Sequence, residues 1–408
     1  MDADHSLEQV RRQLLALDTS KESYATQFVD LLLRAGHALG ASDLHLLPTG
    51  SAVEIRLRID GVMQPLGSFP PGAKADAISR LKVLSDLLTY RNDVPQEGRI
   101  RDSAAKIEMR VSTFPTLHGE KVVVRLFAAD TRYPYLTDLG LPALLAQQLD
   151  RLLDETSGAI LITGPAGSGK TTSAYACLRE LARRSAGRSI ATLEDPIEVA
   201  LPDVAQSQVN LRAGFDLATG LRSLLRQDPQ VILVGEMRDP VTAGIALQAS
   251  LTGQLVLTTF HAGSAAGALS RLADMGVEPY VLRSGVLAIV CQRLVRKLCE
   301  CAVESDSPEA RLGLPVATAR LPQACPQCHG TGYVGRVLLA EMLTVDSADV
   351  AAAILSQADR VALEQAALRG GMQSRWHWAA RAVESGLTSA AEVRRVLGFT
   401  DAPGPDAG

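Results

Sequence analysis

Apolar and polar positions are arranged differently in the two halves of this chain. Residues 24–39 (YATQFVDLLLRAGHAL) repeat apolar positions at helical spacing and predict an amphipathic helix. Short strand-like runs follow at 43–47 and 53–59, parted by Pro48-Thr49-Gly50, with a third near 62–66. Asp60-Gly61, between the last two, is a hairpin-turn dipeptide. A helix is expected at about 73–89. Two more strands are expected near 106–113 and 120–127, joined through Pro115 and His118-Gly119. These elements predict a small α+β domain over 23–128. The polar, charged stretch 1–22 before it reads as an arm or a fraying helix.

Residues 129–141 (ADTRYPYLTDLGL) read as a linker. Beyond it strands and helices alternate: 159–163, 170–185, 188–193, 215–227, 231–234, 239–251 and 254–259. That order predicts an α/β domain over 142–298, a parallel sheet with helices on both faces. From Cys299 the alternation gives way to a cysteine-containing stretch, 299–336. A helical part follows over 337–400, and the tail 401–408 (DAPGPDAG) is expected to be disordered. No internal repeat is present.

Composition narrows the classes. A chain of 408 residues can bury two or three cores. Aromatics are only 4%, so those cores must be aliphatic. A net charge of −4 and the lack of basic runs argue against nucleic-acid binding. No apolar run approaches the roughly 20 residues that span a bilayer. The start, MDADHSLEQVRRQLL, has no apolar core and does not read as a signal peptide. A cytoplasmic location is therefore expected. There, the six cysteines would be thiols or metal ligands.

Residues 164–171 (GPAGSGKT) fit G-x-x-x-x-G-K-[ST] between an apolar strand and a helical segment. Small residues let backbone N–H groups turn inward around phosphate oxygens, and the following helix adds its dipole. The expected phosphate cradle is Gly164, Pro165, Ala166, Gly167, Ser168, Gly169, Lys170, Thr171 and Thr172. Lys170 should reach the β- and γ-phosphates of ATP and Thr171 should bind Mg²⁺. Glu236 follows the apolar run 231–234 at a strand's carboxyl end, where open α/β sheets bind ligands, and is the expected catalytic base. A third strand ends in Glu194-Asp195-Pro196-Ile197-Glu198, three carboxylates in five residues suited to metal hydration and water positioning. Glu194 is expected to help place the water. His261, after 255–260, ends a fourth strand and could sense the γ-phosphate.

Together these sites resemble the type II/type IV secretion ATPase superfamily. TLEDPIE (192–198) resembles its Asp box, RQDPQVILVGEMRD (226–239) its Walker B region and QASLTGQLVLTTFHA (248–262) its His box. RLADMGVEPY (271–280), QRLVRKLC (292–299) and VESGLTSAAEVRRVLG (383–398) continue the match. ASDLHL (41–46), RLRIDG (56–61), PQEGRI (95–100) and RVSTFPTLHGEKVVVRL (110–126) resemble the family's PAS-like N-terminal domain. The resemblance covers about residues 40–400. It implies a RecA-like P-loop ATPase domain preceded by a PAS-like domain, and a homo-hexamer with ATP between subunits. It also implies that Arg110 and Arg125 reach the nucleotide, with Arg222, Arg226, Arg238 and Arg271 matching other basic positions.

Cys299, Cys301, Cys325 and Cys328 resemble the zinc-binding tetracysteine module of the assembly branch, the GspE/PulE-like and PilB-like ATPases. PilT-type retraction motors lack it. The first pair is C-x-C where the family usually has C-x-x-C, and His329 is a possible substitute ligand. Cys177 and Cys291 fall among apolar residues on predicted helices and read as buried. The resemblance further implies an inner-membrane platform protein as partner, peripheral association with that membrane, and no nucleic acid.

Gln230 and Gln254 stand where the family often has Asp and His, and Ala262-Gly263 where it often has Thr-Asn. Only about forty residues precede ASDLHL, so simpler docking or a different partner is expected. Trp376 and Trp378 should pack among the closing helices or contact a neighbour. Two other readings exist: a RecA-like nucleic-acid translocase, and a non-catalytic ATP-binding ring subunit.

Overall fold

A computed structural model of the chain describes residues 6–72, 76–102, 107–126, 133–184 and 187–399. The start of the expected arm (1–5), the first part of the expected linker (129–132) and the tail 401–408 lie outside the described residues. The chain divides into two compact units, 1–129 with 325–330, and 130–324 with 331–408.

In the first unit α1 (Leu7–Leu15) and α2 (Tyr24–Ala38) precede β1 (Ala41–Pro48), β2 (Val53–Ile59) and β3 (Val62–Phe69). Then come α3 (Ala77–Leu84), β4 (Gln96–Asp102), β5 (Ile107–Thr116) and β6 (Gly119–Leu126). The sheet order is β3-β2-β1-β6-β5-β4, antiparallel throughout. Period-2 burial of Leu44 and Leu46, Ile55 and Leu57, and Val122 and Val124 turns one face of the sheet inward. Phe28, Val29 and Leu32 of α2 join these residues in one core.

Asp60 and Gly61 both have positive φ, the backbone a two-residue hairpin turn demands. The stretch 1–22, read as an arm or a fraying helix, contains α1: Ser6 caps it, and Val10 and Leu14, one helical turn apart, are buried in this core. The expected helix at 73–89 contracts to α3. β4 had no counterpart in the pattern, and Ile100 is its residue in the core.

The second unit begins with a 3-10 turn, Leu136–Leu139, inside the expected linker; both leucines are buried in its core. There follow α4 (Ala143–Leu152), β7 (Gly158–Thr163), α5 (Lys170–Arg184), β8 (Ile190–Glu194) and β9 (Ala205–Gln208). Next are α6 (Leu217–Leu224), β10 (Val231–Val234), α7 (Pro240–Leu251), β11 (Leu255–Phe260), α8 (Ala265–Asp274), α9 (Pro279–Gly285) and β12 (Val286–Leu298). A short hairpin, β13 (Val303–Ser305) and β14 (Ala319–Leu321), encloses α10 (Pro308–Arg311). β15 (Tyr333–Thr344) leads to α11 (Ala348–Leu355), α12 (Arg360–Arg369), α13 (Arg375–Glu384) and α14 (Ala390–Leu397).

The large sheet runs β15-β12-β7-β11-β10-β8-β9. Ala159 and Leu161 of β7 face one helical layer, Ile160 and Ile162 the other. A strand buried on both faces needs such an unbroken apolar run.

Three expectations are corrected here. The sheet is not wholly parallel: β15 returns antiparallel to β12, from Ala288 opposite Thr344 to Leu298 opposite Tyr333. The part beyond 336 is therefore not purely helical. Its VLLAEMLT run has helical propensity, but burial beside β12 decides its state. Cys291 lies on β12, a strand and not a helix, although it is buried as expected, like Cys177 on α5. Trp376 is buried among the closing helices and Trp378 packs partly against them.

Candidate nucleotide-binding site

The cradle starts where β7 ends. Gly164, Gly167 and Gly169 all have positive φ, and a Cβ on Gly164 would lie 2.5 Å from the Gln292 carbonyl oxygen. Only glycine lets the loop pass so close to β12. The loop opens directly into α5 at Lys170. The Lys170 ammonium donates to the carbonyls of Gly164 and Pro165, both at 3.0 Å. Burial pushes its pKa below the ordinary lysine value, while the Glu236 and Glu198 carboxylates pull it back up. Among the described residues the Ser168 hydroxyl, buried in the loop, has no hydrogen-bond partner, a polar atom suited to a phosphate oxygen. A cavity of about 320 Å³ runs along this loop, lined by Gly167, Lys170, Thr171, Thr172, Glu198 and Arg336, among others. The set of donors fits a Mg²⁺-nucleotide, with Thr171 as the hydroxyl available to the metal.

Glu236 and His261, read from separate strand ends, come together. β10 and β11 are parallel neighbours in register, Val234 beside Thr258, so both loops leave the same edge. The His261 Nε2 stands 2.6 Å from Glu236 Oε1, though among the described residues no well-aligned hydrogen bond reaches that oxygen. Arg238 Nε donates to Glu236 Oε2 at 2.6 Å. Arg271 donates to the His261 carbonyl at 2.7 Å and stacks over Phe260. Thus of the four basic positions of the ATPase domain, Arg238 bonds the carboxylate and Arg271 holds the backbone of the histidine beside it.

Glu194 differs from expectation. It is 3% exposed, and both of its oxygens are engaged by protein donors. Thr192 donates at 2.5 Å and Gln206 at 3.1 Å to one oxygen, and the Tyr175 hydroxyl donates to the other. Burial, then the Glu194 bond, drive the Tyr175 pKa up. The same phenol oxygen accepts from the Glu198 amide at 3.2 Å. Glu198, from the same acidic turn, is the carboxylate that lines the cavity. Tyr175, Gln206 and Gln292 were missed in the sequence because their contacts are long-range. Gln292 does lie inside the QRLVRKLC segment.

In the first unit Arg110 and Arg125 are direct cross-strand partners, and Arg99 stands opposite Arg110 on the other side. Arg125 donates to Asp43 at 3.0 Å, and Arg58 lies 3.4 Å from the same carboxylate. Like charges placed opposite each other repel, and Asp43 offsets part of that here.

The sulfur atoms of Cys299, Cys301, Cys325 and Cys328 lie within 4.8 Å of one another. Cys325 and Cys328 are 3.7 Å apart. Tetrahedral zinc with Zn–S near 2.3 Å requires S–S of about 3.8 Å, so the donors fit the metal despite the shortened C-x-C pair. His329 takes positive φ in the turn that closes the second pair and is not in the cluster. Among the described residues no helix is long and apolar enough to cross a membrane.

The sequence model of the type II/IV secretion system protein family matches residues 18–395. The type IV pilus assembly ATPase PilB of Thermus thermophilus is 40% identical over 364 residues, covering 86% of this chain and 41% of that protein. The type II secretion system ATPase E of Vibrio cholerae is 40% identical over 392 residues, covering 93% of this chain and 76% of that protein. Among solved structures, the Legionella pneumophila ATPase DotB superposes with a TM-score of 0.66 at 23% identity, covering 90% of this chain and 95% of that one; this likeness speaks to fold alone. With its phosphate loop, strand-end carboxylate and cysteine cluster in one chain, and a family match across nearly its whole length, the protein belongs to the type II/IV secretion system protein family.

Proposed function

We propose that this chain binds Mg²⁺-ATP at Gly164–Thr172 and hydrolyses it, and that turnover powers assembly of a type IV pilus or a type II secretion pseudopilus. The observation that carries the reading is the shared site. The loop carrying Lys170 follows β7 and Glu236 follows β10, and the consecutive parallel strands β7, β11 and β10 deliver both to one edge of the sheet, where a phosphate ligand and a water-activating base can serve one nucleotide. The names of the curated relatives quoted above support the same activity.

In this mechanism the loop amides and Lys170 hold the β- and γ-phosphates. Glu236 takes the proton of the attacking water as its oxygen bonds to the γ-phosphorus and the bond to the ADP oxygen breaks. Bound Mg²⁺, held through Thr171, would neutralise phosphate charge. Arg238 and His261 keep Glu236 aimed. Glu194, bonded within the protein through both oxygens, shapes the acidic turn, and Glu198, which lines the cavity, would be the carboxylate available to metal-bound water. Arg110 and Arg125 supply transition-state charge in a homo-hexamer. The working location is the cytoplasmic face of the inner membrane, on a platform protein.

The cysteine cluster supports the assembly branch over retraction. Metal analysis of the purified chain should find about one zinc per chain, and Cys328→Ser should lose it. A metal-free unmodified protein would remove that support. The motor reading is tested by ATP turnover across gel-filtration fractions. Turnover confined to ring-sized species supports it. Equal specific activity in monomer-sized fractions would contradict a site completed between subunits. Stimulation by DNA or RNA would favour the translocase reading instead.

A further inference from the structure

Gln292 is 1% exposed, on the strand β12 between β15 and β7, and its side chain is polar. A buried amide persists only where its donors and acceptor are matched. Here the Gln292 Nε2 donates to the Ser168 carbonyl at 2.9 Å, and the Ser173 hydroxyl donates to Oε1 at 3.1 Å. The carbonyl can only accept, which fixes which end of the amide faces the loop. Ser168 belongs to the phosphate loop and Ser173 to the first turn of α5. One side chain on β12 therefore clamps both halves of the cradle, from 119 and 124 residues away in sequence.

The clamp has a directional consequence. A trans peptide holds its C=O and the following N–H antiparallel. With the Ser168 carbonyl drawn toward β12, the Gly169 N–H must point away from β12. Gly169 has φ +86°, and its own Cβ position would lie 3.4 Å from the Gln292 amide nitrogen, so the loop is seated directly on this side chain. An amide in that orientation is one of those a phosphate nest needs.

We propose that Gln292 is a positioning residue for ATP: it sets the orientation of the Ser168–Gly169 peptide and so preorganises the phosphate cradle. The proposal rests on the reading of residues 164–172 as the nucleotide site. The contribution is to binding in ground and transition states alike, so it should appear in KM and in nucleotide affinity and not in kcat.

The test compares Gln292→Met, which keeps length and removes both bonds, with Ser173→Ala, which removes one. Fluorescent mant-ADP titration and steady-state ATP hydrolysis are read, with Lys170→Ala as control. Gln292→Met should raise the Kd for mant-ADP and the KM for ATP about tenfold, with kcat within about twofold. Ser173→Ala should raise both about threefold. A purely structural role would lower the melting temperature and leave KM unmoved. If both variants bind and turn over with Kd and KM within about twofold of the unmodified chain, the proposal is overturned. If Gln292→Met does not fold, Ser173→Ala decides by the same criterion. Unimpaired mant-ADP binding by Lys170→Ala would overturn the nucleotide-site reading and this proposal with it. Loss of binding in that control beside parity of the other two would overturn this proposal alone.

Discussion

Replacing Glu236 with glutamine should lower kcat for ATP hydrolysis by about 10²–10⁴-fold while leaving nucleotide affinity within about threefold. Glutamine has the same shape, and its carbonyl oxygen can still accept from Arg238, which now donates to Oε2 at 2.6 Å. What it cannot do is take a proton from water. The nearby His261, 2.6 Å from the carboxylate, would face an amide in its place but keep its position, because its backbone carbonyl is held by Arg271. The measurement is steady-state phosphate release beside mant-ADP titration. A variant that keeps more than a tenth of the rate would show that another group activates the water. Glu198 would then be the next to substitute, since Glu194 has its oxygens taken by Thr192, Gln206 and Tyr175.

Lys170→Ala should reduce hydrolysis below detection and weaken nucleotide binding by at least about tenfold, with little change in thermal stability. The ammonium is the loop's full positive charge, and its removal leaves the phosphates with backbone dipoles alone. The fold depends on it little. Its bonds run to the carbonyls of Gly164 and Pro165 on a partly exposed loop, where water can replace it. A melting temperature within a few degrees of the unmodified chain, with binding and turnover both lost, is the expected pattern. Lost activity together with a large fall in melting temperature would point instead to a collapsed loop.

Much of the fold and site was legible because local chemistry dictated it. The phosphate loop is short, and its glycines must be where backbone turns. Asp60-Gly61 announced a hairpin for the same reason. The strands β7, β10 and β11 are apolar runs that only a doubly covered sheet can hold, so Glu236 and His261 could be placed at one edge.

The misses have a common cause. β15 carries leucine, alanine and methionine, which prefer helix locally, and only pairing with β12 makes it a strand. The stretch holding α1 read as an arm or a fraying helix, and its docking was not foreseen, yet Val10 and Leu14 suffice to bury one face. The engagement of Glu194 by Tyr175 and Gln206, and the clamp formed by Gln292, join residues distant in sequence. No periodicity carries that information. The C-x-C pair was a departure on paper, but the chain around it still brings the four sulfurs together.

The most direct test of the central claim is phosphate release from Mg²⁺-ATP by the purified chain, measured with Lys170→Ala prepared and assayed alongside. Sustained release by the unmodified protein, absent from the variant, is the predicted result. Equal release by both proteins would contradict the assignment of Gly164–Thr172 as the site of hydrolysis, and no release by a folded, nucleotide-binding protein would contradict the ATPase itself.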